Sequence, residues 1–209
     1  MSRNDLDNYL KNIETEFNRI PEDRIGILQQ LGDYVISAIK ENRKVQLVFI
    51  CTHNSRRSQF GQLWAITAAQ FYGIQNIGTF SGGTESTVFN PRAIDAIRRA
   101  GFQIEKQAFD PGNPRYLISS GENPEGNPMF SKKYNDEVNP DAAFCAILVC
   151  SDAEKACPHI PGAEDRISMP YDDPKAFDNT DKEETIYDER CRQIAIEMFF
   201  TFRYVKTSM

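Results

Sequence analysis

The chain has 209 residues, of which 40% are hydrophobic and 26% are charged, and this composition suits one globular domain with an apolar core. Its formal net charge of -6 argues against a general nucleic-acid surface, because nucleic-acid backbones are bound by an excess of Lys and Arg. No stretch approaches the ~20 consecutive apolar residues that span a bilayer, and the first residues lack the basic-then-apolar layout of a secretion signal. We therefore expect a cytoplasmic protein that binds neither nucleic acid nor membranes.

The first 44 residues predict a helical extension. Leu6 and Leu10 begin one apolar pattern at helical spacing, and Pro21 opens a second pattern. We interpret Arg24, within the second pattern, as a solvated charge.

Residues 45–209 predict a domain in which strands and helices alternate. Residues 45–50 form a short apolar, β-branched run of the kind that is buried on both faces of a sheet, and a helical apolar stripe follows from Ser58 to Gly73. Further strands are expected at 77–81, 142–149 and 166–169, and further helices after Asn90-Pro91 and over 183–204. This alternation predicts an α/β fold with a parallel sheet.

Residues 110–140 interrupt the alternation. They are rich in Pro and Gly and show no sustained period, so we predict a long loop or insertion there. The pair Lys132-Lys133 within it is interpreted as solvated charge.

The strand-to-helix junction at residues 51–58 reads C-T-H-N-S-R-R-S, which fits the pattern C-x5-R-S. Successive backbone N–H groups in such a loop form a concave nest, and the positive end of the following helix adds to it, so a phosphate-shaped oxyanion is favoured there. Arg57 can add a planar, two-pronged hydrogen bond. The residues predicted to bind the oxyanion are Thr52, His53, Asn54, Ser55, Arg56, Arg57 and Ser58.

Cys51 is the predicted nucleophile of this loop. The donors that surround an oxyanion also favour the thiolate form of the cysteine, which is the form that attacks. Ser58 is placed to donate a hydrogen bond to the thiolate. The competing interpretation is a buried cysteine at a strand end beside surface arginines.

Several segments together resemble the low-molecular-weight protein tyrosine phosphatase superfamily and, within it, the thioredoxin-coupled arsenate reductases. The resemblance covers roughly residues 45–203 and is carried by V-F-I-C-T-H-N-S-R-R-S-Q at 48–59, F-S-G-G-T-E at 80–85, N-P-R-A-I at 90–94, V-C-S-D-A-E-K-A-C-P at 149–158 and Y-D-D-P at 171–174. It implies a flavodoxin-like open parallel sheet with helices on both faces. His53 and Arg56 depart from the family, which usually has Gly and often Cys there, so the ranking of substrates stays open.

Cys150 and Cys157 form a second pair of candidate reactive thiols. In an open parallel sheet the carboxyl ends of the strands share one crevice, so Cys150 lies near Cys51 if their strands are neighbours. The resemblance implies a relay in which Cys51 takes arsenate, Cys150 attacks the Cys51 sulfur, and Cys157 resolves the disulfide for reduction by thioredoxin or a similar reductant. The alternative is that both thiols only pack.

Their spacing is too wide for common zinc knuckles, so we expect neither a metal nor a cofactor. Cys145 and Cys191 lie inside a predicted strand and a predicted helix and are expected to pack.

The reaction also needs a proton donor. Asp173 precedes Pro174 and matches the Asp-Pro acid of the family that the chain resembles, while Asp172 is the competing candidate.

Three functions remain open from the sequence. The leading one is arsenate reduction through the three cysteines. The second is hydrolysis of phosphomonoesters through a Cys51 phosphoenzyme, which needs Arg57 and Asp173 but neither Cys150 nor Cys157. The third is a non-catalytic oxyanion or redox sensor.

Overall fold

The computed structural model describes residues 4–107, 110, 112–120, 123–156 and 159–209. Its strands are β1 (Val45–Cys51), β2 (Ile77–Gly83), β3 (Gln103–Gln107), β4 (Arg115–Ser119), β5 (Asn127–Met129), β6 (Phe144–Leu148) and β7 (Ala163–Ser168). Its α-helices are α1 (Asn4–Leu10), α2 (Glu22–Lys40), α3 (Arg57–Phe71), α4 (Pro91–Arg99), α5 (Ser151–Ala156) and α6 (Glu183–Ser208), and two 3₁₀ helices span Ile13–Arg19 and Pro174–Phe177. None of these helices is both long enough and apolar enough to cross a membrane.

The main sheet is parallel and has the order β2-β1-β6-β7. Strand β1 pairs with β2 along its whole length on one side and with β6 on the other. Four consecutive residues of β1, 47–50, are fully buried, as their continuous apolar run predicts. The predicted open parallel sheet is therefore confirmed, and β1, one of its two inner strands, ends at Cys51.

Three helices form a layer against one face of this sheet. Helix α3 packs on β1 and β2, helix α2 contacts β1 and β7, and α6 packs against both helices. Gly61 allows α3 to approach β1 closely, because a Cβ atom there would lie 2.4 Å from the Phe49 ring. The close packing of α3 on β1 fixes the geometry of the loop that joins them.

The N-terminal extension belongs to the same core. Leu28, Leu31 and Val35 of α2 are fully buried, and the Tyr9 ring stacks on Trp64 of α3 with 5.5 Å between ring centroids. The interpretation of Arg24 as a solvated charge is wrong, because its side chain is only 12% exposed and is paired with Glu197 of α6. The amphipathic pattern predicted these helices but could not reveal the partner on a distant helix.

The described part of residues 110–140 is not the continuous loop that the sequence predicted, while its status as an insertion stays a prediction. It contains β4 and β5, which form an antiparallel sheet of order β3-β4-β5 together with β3. The strands are short and Pro128 lies within one of them, so no periodicity marks them in the sequence. Lys132 is likewise not solvated, since only 4% of it is exposed.

Candidate active site

The loop between β1 and α3 holds Cys51 at the amino end of α3. The Cys51 Sγ lies 3.1 Å from the Ser58 Oγ. Asn54 donates from Nδ2 to the same Ser58 oxygen at 2.8 Å, so the Ser58 proton is free to point at the sulfur. Ser58 can therefore stabilise a Cys51 thiolate, as the sequence predicts.

Asn54 shapes the loop in two ways. Its backbone φ is 48°, in the left-handed region that Asn tolerates better than most residues. Its fully buried side chain accepts at Oδ1 from the Lys132 backbone N–H at 2.9 Å. The loop is thus anchored to the segment that follows β5.

The end of β2 supports the loop from a second side. The backbone N–H groups of Thr84 and Glu85 donate to the carbonyl oxygens of Cys51 and Thr52 at 3.1 and 2.8 Å. Gly83 is required at this point, because a Cβ atom there would lie 2.2 to 2.8 Å from backbone atoms of the loop and its neighbours. These contacts account for the last three residues, G-T-E, of the F-S-G-G-T-E motif.

Arg57 extends across the sheet edge to the segment before the 3₁₀ helix Pro174–Phe177. Its Nη1 donates to the Tyr171 carbonyl at 2.8 Å, and its Nη2 donates to Asp173 Oδ2 at 2.6 Å. Its buried Nε has no hydrogen-bond partner among the described residues. A buried donor of this kind is costly unless an acceptor reaches it, which an oxyanion oxygen can do.

The two candidate acids occupy different environments. Asp173 is 31% exposed, contacts Arg57 and accepts the Lys175 backbone N–H at 3.0 Å. The Asp172 side chain is 98% exposed and lies 3.5 Å from Arg190. This arrangement favours Asp173 as the acid.

Arg56 is oriented differently from Arg57. Its Nε donates to the Tyr187 hydroxyl at 2.7 Å, and its Nη2 lies 3.4 Å from an Asp178 oxygen. Burial and the hydrogen bond to Asp178 raise the pKa of Tyr187 to about 12. Arg56 is therefore tied to α6, and binding of substrate by its side chain stays a prediction.

His53 lies at the exposed rim of the loop. Its Nε2 is 3.8 Å from Glu85, and 43% of its side chain is exposed. Its carbonyl oxygen accepts hydrogen bonds from the hydroxyls of Thr87 and Ser131 at 3.2 and 3.0 Å. The backbone at this position is thus fixed although the imidazole faces outward.

Cys150 lies directly beside the loop because β6 is the neighbour of β1. Its Sγ is 3.5 Å from the Thr52 Oγ1, and it accepts the Ala153 backbone N–H at 3.3 Å. The strand adjacency on which the expected proximity to Cys51 depends is therefore present, and Cys150 contacts the residue next to Cys51. Cys157, the third predicted thiol, lies outside the described residues.

The other two cysteines pack in the core. Burial raises the pKa of Cys145 within β6 well above that of an ordinary thiol. Burial also raises the pKa of Cys191 to about 12, and the Trp64 indole donates to its sulfur at 3.3 Å. Both environments disfavour a thiolate, as expected for packing cysteines.

Arg24, Glu197 and Tyr171 form a buried polar network that contacts Arg57 through the Tyr171 carbonyl, and the sequence did not reveal it. Arg24 Nε is 2.9 Å from Glu197 Oε2, and its guanidinium lies 4.5 Å from the Tyr171 ring centroid. The Tyr171 hydroxyl donates to the same Glu197 oxygen at 2.7 Å. Because the Tyr171 carbonyl accepts a hydrogen bond from Arg57, the network links the N-terminal extension to the site. Its members lie 26 to 173 residues apart, so no local motif marks them.

A cavity of about 650 Å³ adjoins the candidate acid. Asp173 and Phe177 line it together with Ile20 of the N-terminal extension and Ile186 of α6. Among the residues that the structure describes, no group of three or more His, Cys, Asp or Glu side chains is arranged to hold a metal ion.

Comparison with known proteins identifies relatives of the chain. No protein-family model matches it. It is 30% identical to an arsenate reductase of Brevibacillus brevis over 134 residues, which cover 64% of this chain and 79% of that protein. It is 29% identical to an arsenate reductase of Bacillus licheniformis over 149 residues, which cover 71% and 88%.

The fold is similar to the solution structure of a low-molecular-weight protein tyrosine phosphatase from Bacillus subtilis. The TM-score is 0.51 at 13% identity, and the match covers 78% of this chain and 98% of that one. The chain therefore belongs to the arsenate reductase family of enzymes, and its fold is that of the low-molecular-weight protein tyrosine phosphatases.

Proposed function

We propose that the chain reduces arsenate to arsenite through Cys51, Cys150 and Cys157. The observation that carries this proposal is the placement of Cys150, whose sulfur contacts the hydroxyl of Thr52, the residue next to Cys51. A phosphatase needs no second thiol at that position, whereas a reductase needs a thiol that can reach the first one. The sequence similarity to arsenate reductases supports the same chemistry.

The loop supplies the binding site for the oxyanion. The backbone nest and the amino end of α3 favour a tetrahedral anion over Cys51. Arg57 adds its unpartnered Nε. An anion that approaches Arg57 competes with Asp173 for the guanidinium, and the displaced carboxyl group is then positioned to serve as the acid.

The first chemical step joins sulfur to arsenic. The Cys51 thiolate attacks arsenic(V), an S–As bond forms, and an As–O bond breaks as the departing oxygen takes protons and leaves as water. Asp173 donates a proton to that oxygen. Ser58 stabilises the attacking thiolate through the 3.1 Å contact with its sulfur.

The second step transfers the electrons. The Cys150 thiolate attacks the Cys51 sulfur, the S–As bond breaks, and its electron pair stays on arsenic, which leaves as arsenite of arsenic(III). The Ala153 N–H and the Thr52 hydroxyl are placed to stabilise the Cys150 thiolate. Cys157 then attacks the Cys150 sulfur and releases Cys51. Thioredoxin, or a similar dithiol, reduces the Cys150–Cys157 disulfide and supplies the two electrons.

The experiment compares two serine variants in two assays. Cys150→Ser is expected to lose arsenate turnover with thioredoxin, because a hydroxyl cannot replace the attacking thiolate, and to keep most hydrolysis of a chromogenic aryl phosphate. Cys145→Ser is the matched control, since it removes a buried thiol from the same strand away from the loop, and it should keep both activities. Equal arsenate turnover by wild type and Cys150→Ser would eliminate the relay.

Hydrolysis of phosphomonoesters is the second candidate. It is favoured by the 650 Å³ cavity, where Asp173 and Phe177 share a wall and an aryl group could be held beside the acid. Tyr171, the aromatic residue next to the acid in sequence, is buried and its hydroxyl is bonded to Glu197, so it does not serve this purpose. Turnover of aryl phosphate without any arsenate reduction by thioredoxin would establish the phosphatase.

A further inference from the structure

A second cavity lies between the main sheet and the antiparallel sheet. It has a volume of about 240 Å³. The residues that matter for its chemistry are Gln62 of α3, Thr79 of β2, Arg115 of β4, Phe130 and Lys132. We call it the Lys132 cavity. No residue of the loop 51–58 lines it, so it is separate from the candidate active site.

Two cations in this cavity share one aromatic ring. The Arg115 Cζ lies 4.2 Å from the centroid of the Phe130 ring, and the Lys132 Nζ lies 4.7 Å from the same centroid. Neither cation forms an ion pair with any carboxylate among the described residues, although the chain carries a net charge of -6. Because both cations contact the same ring, their charges repel each other, and an anion bound between them would offset this repulsion.

Lys132 is the unusual member of the pair, because only 4% of the residue is exposed. Burial lowers its pKa to about 8, Asp136 opposes this effect, and the positive charge of Arg115 adds to it. A buried ammonium group is costly without a counterion. Ring stacking alone offers limited compensation, since a cation–π contact at a ring is worth only about 0.5–2 kcal/mol.

We propose that the Lys132 cavity binds a small anion through a carboxylate or phosphate group held by Lys132 and Arg115. Its volume is below the roughly 300 Å³ at which ordinary ligand pockets begin, so the ligand is small. Gln62 and Thr79 offer further polar groups on the wall. Arg115 suits a planar carboxylate or a phosphate, and Lys132 adds a point charge from the buried side.

The proposed site is connected to the active-site loop. The Lys132 backbone N–H donates to Asn54 Oδ1, and Gln59 Nε2 bridges the carbonyl oxygens of Phe130 and Asn54 at 2.9 Å each. The wall of the Lys132 cavity and the loop therefore share one hydrogen-bonded segment. A test must therefore separate anion binding in the Lys132 cavity from anion binding at the loop 51–58.

The experiment uses calorimetric titration of an Arg57→Met chain, in which binding at the loop is weakened. The probes are malonate, a small dicarboxylate, and inorganic phosphate. We expect saturable one-site binding of at least one probe. Arg115→Gln and Lys132→Met, each added to Arg57→Met, should weaken the affinity for that probe at least tenfold. Lys133→Met is the matched control and should leave the affinity unchanged, because the adjacent lysine is exposed.

The two probes distinguish the sources of the anion. Binding of malonate alone assigns the site to organic acids, and binding of phosphate alone assigns it to phosphate groups. Arg115 is exposed, so its variant carries the test even if Lys132→Met fails to fold. The proposal is overturned if neither probe binds the Arg57→Met chain, or if the Arg115→Gln and Lys133→Met chains bind equally well. Loss of arsenate turnover in Arg57→Met tests the active site independently.

Discussion

Removal of the Arg24 guanidinium tests whether the N-terminal extension stabilises the active site. In Arg24→Met, the Glu197 carboxylate stays buried, with 2% of its side chain exposed, and loses its cation. Two more hydrogen bonds disappear, from Arg24 to the carbonyl oxygens of Pro170 and Met169 at 3.1 and 3.4 Å. The segment that carries Tyr171 is therefore released on one side.

The expected cost follows from the buried pair. Removing one partner of a buried ion pair costs about 3–5 kcal/mol, because the remaining charge is uncompensated. Glu197 keeps hydrogen bonds from Tyr171 and Gln193, so we expect the lower end, about 3 kcal/mol of unfolding free energy. Arg24→Met combined with Glu197→Gln should recover at least half of that loss, because no charge then stays buried.

The same change should reduce activity through Arg57. The Tyr171 carbonyl is bonded to Arg57 Nη1, and a small displacement of a positioned group can lower the rate by about 10- to 100-fold. Urea unfolding and kcat/KM for arsenate are measured for Arg24→Met and for Arg19→Met, a control on the same extension whose side chain is 63% exposed. Equal stability and equal kcat/KM of the two variants would refute the reasoning.

Three further predictions concern the loop and the Lys132 cavity. Gly83→Ala should abolish anion binding at the loop, measured as the loss of phosphate protection of Cys51 against iodoacetamide, because the new Cβ would lie 2.2 to 2.8 Å from backbone atoms at the loop. Cys51 should be alkylated by iodoacetamide before Cys191, whose pKa is raised to about 12 by burial, and phosphate should protect it; mass mapping that finds the reverse order would contradict the nucleophile assignment. Between pH 8 and 10.5 the unfolded chain binds a proton at Lys132 that the folded chain lacks, so the free energy of unfolding should rise with pH by at most about 3 kcal/mol. In urea unfolding, Lys132→Met should remove this rise and Lys133→Met should keep it.

Much of the fold and of the loop could be predicted because the signals are local. The apolar run of β1 and the helical stripe of α3 define a strand-to-helix junction, and the junction places Cys51 and Arg57 at its two ends. The loop residues act largely through backbone geometry, which the neighbouring elements impose. The choice of Asp173 as the candidate acid followed from its position before Pro174 together with the family resemblance.

The contacts that complete the site could not be predicted because their partners are far apart in sequence. Arg24 and Lys132 are residue types typical of surfaces. Tertiary contacts nevertheless cover them, Arg24 where α2 packs against α6 and Lys132 where the segment after β5 is hydrogen-bonded to Asn54 and Gln59. The strands β4 and β5 are stabilised by pairing with each other and with β3, so their short sequences carry little signal of their own.

The sequence by itself determined the parallel α/β architecture and the strand-to-helix junction at Cys51, and it predicted the oxyanion loop and its nucleophile, because apolar periodicity and loop chemistry act between near neighbours. The order of the strands was decided only by the tertiary structure. It places β6 beside β1, and this adjacency brings Cys150 to the loop. The environment of each charged group was likewise decided by tertiary packing, since burial depends on which distant elements meet around it.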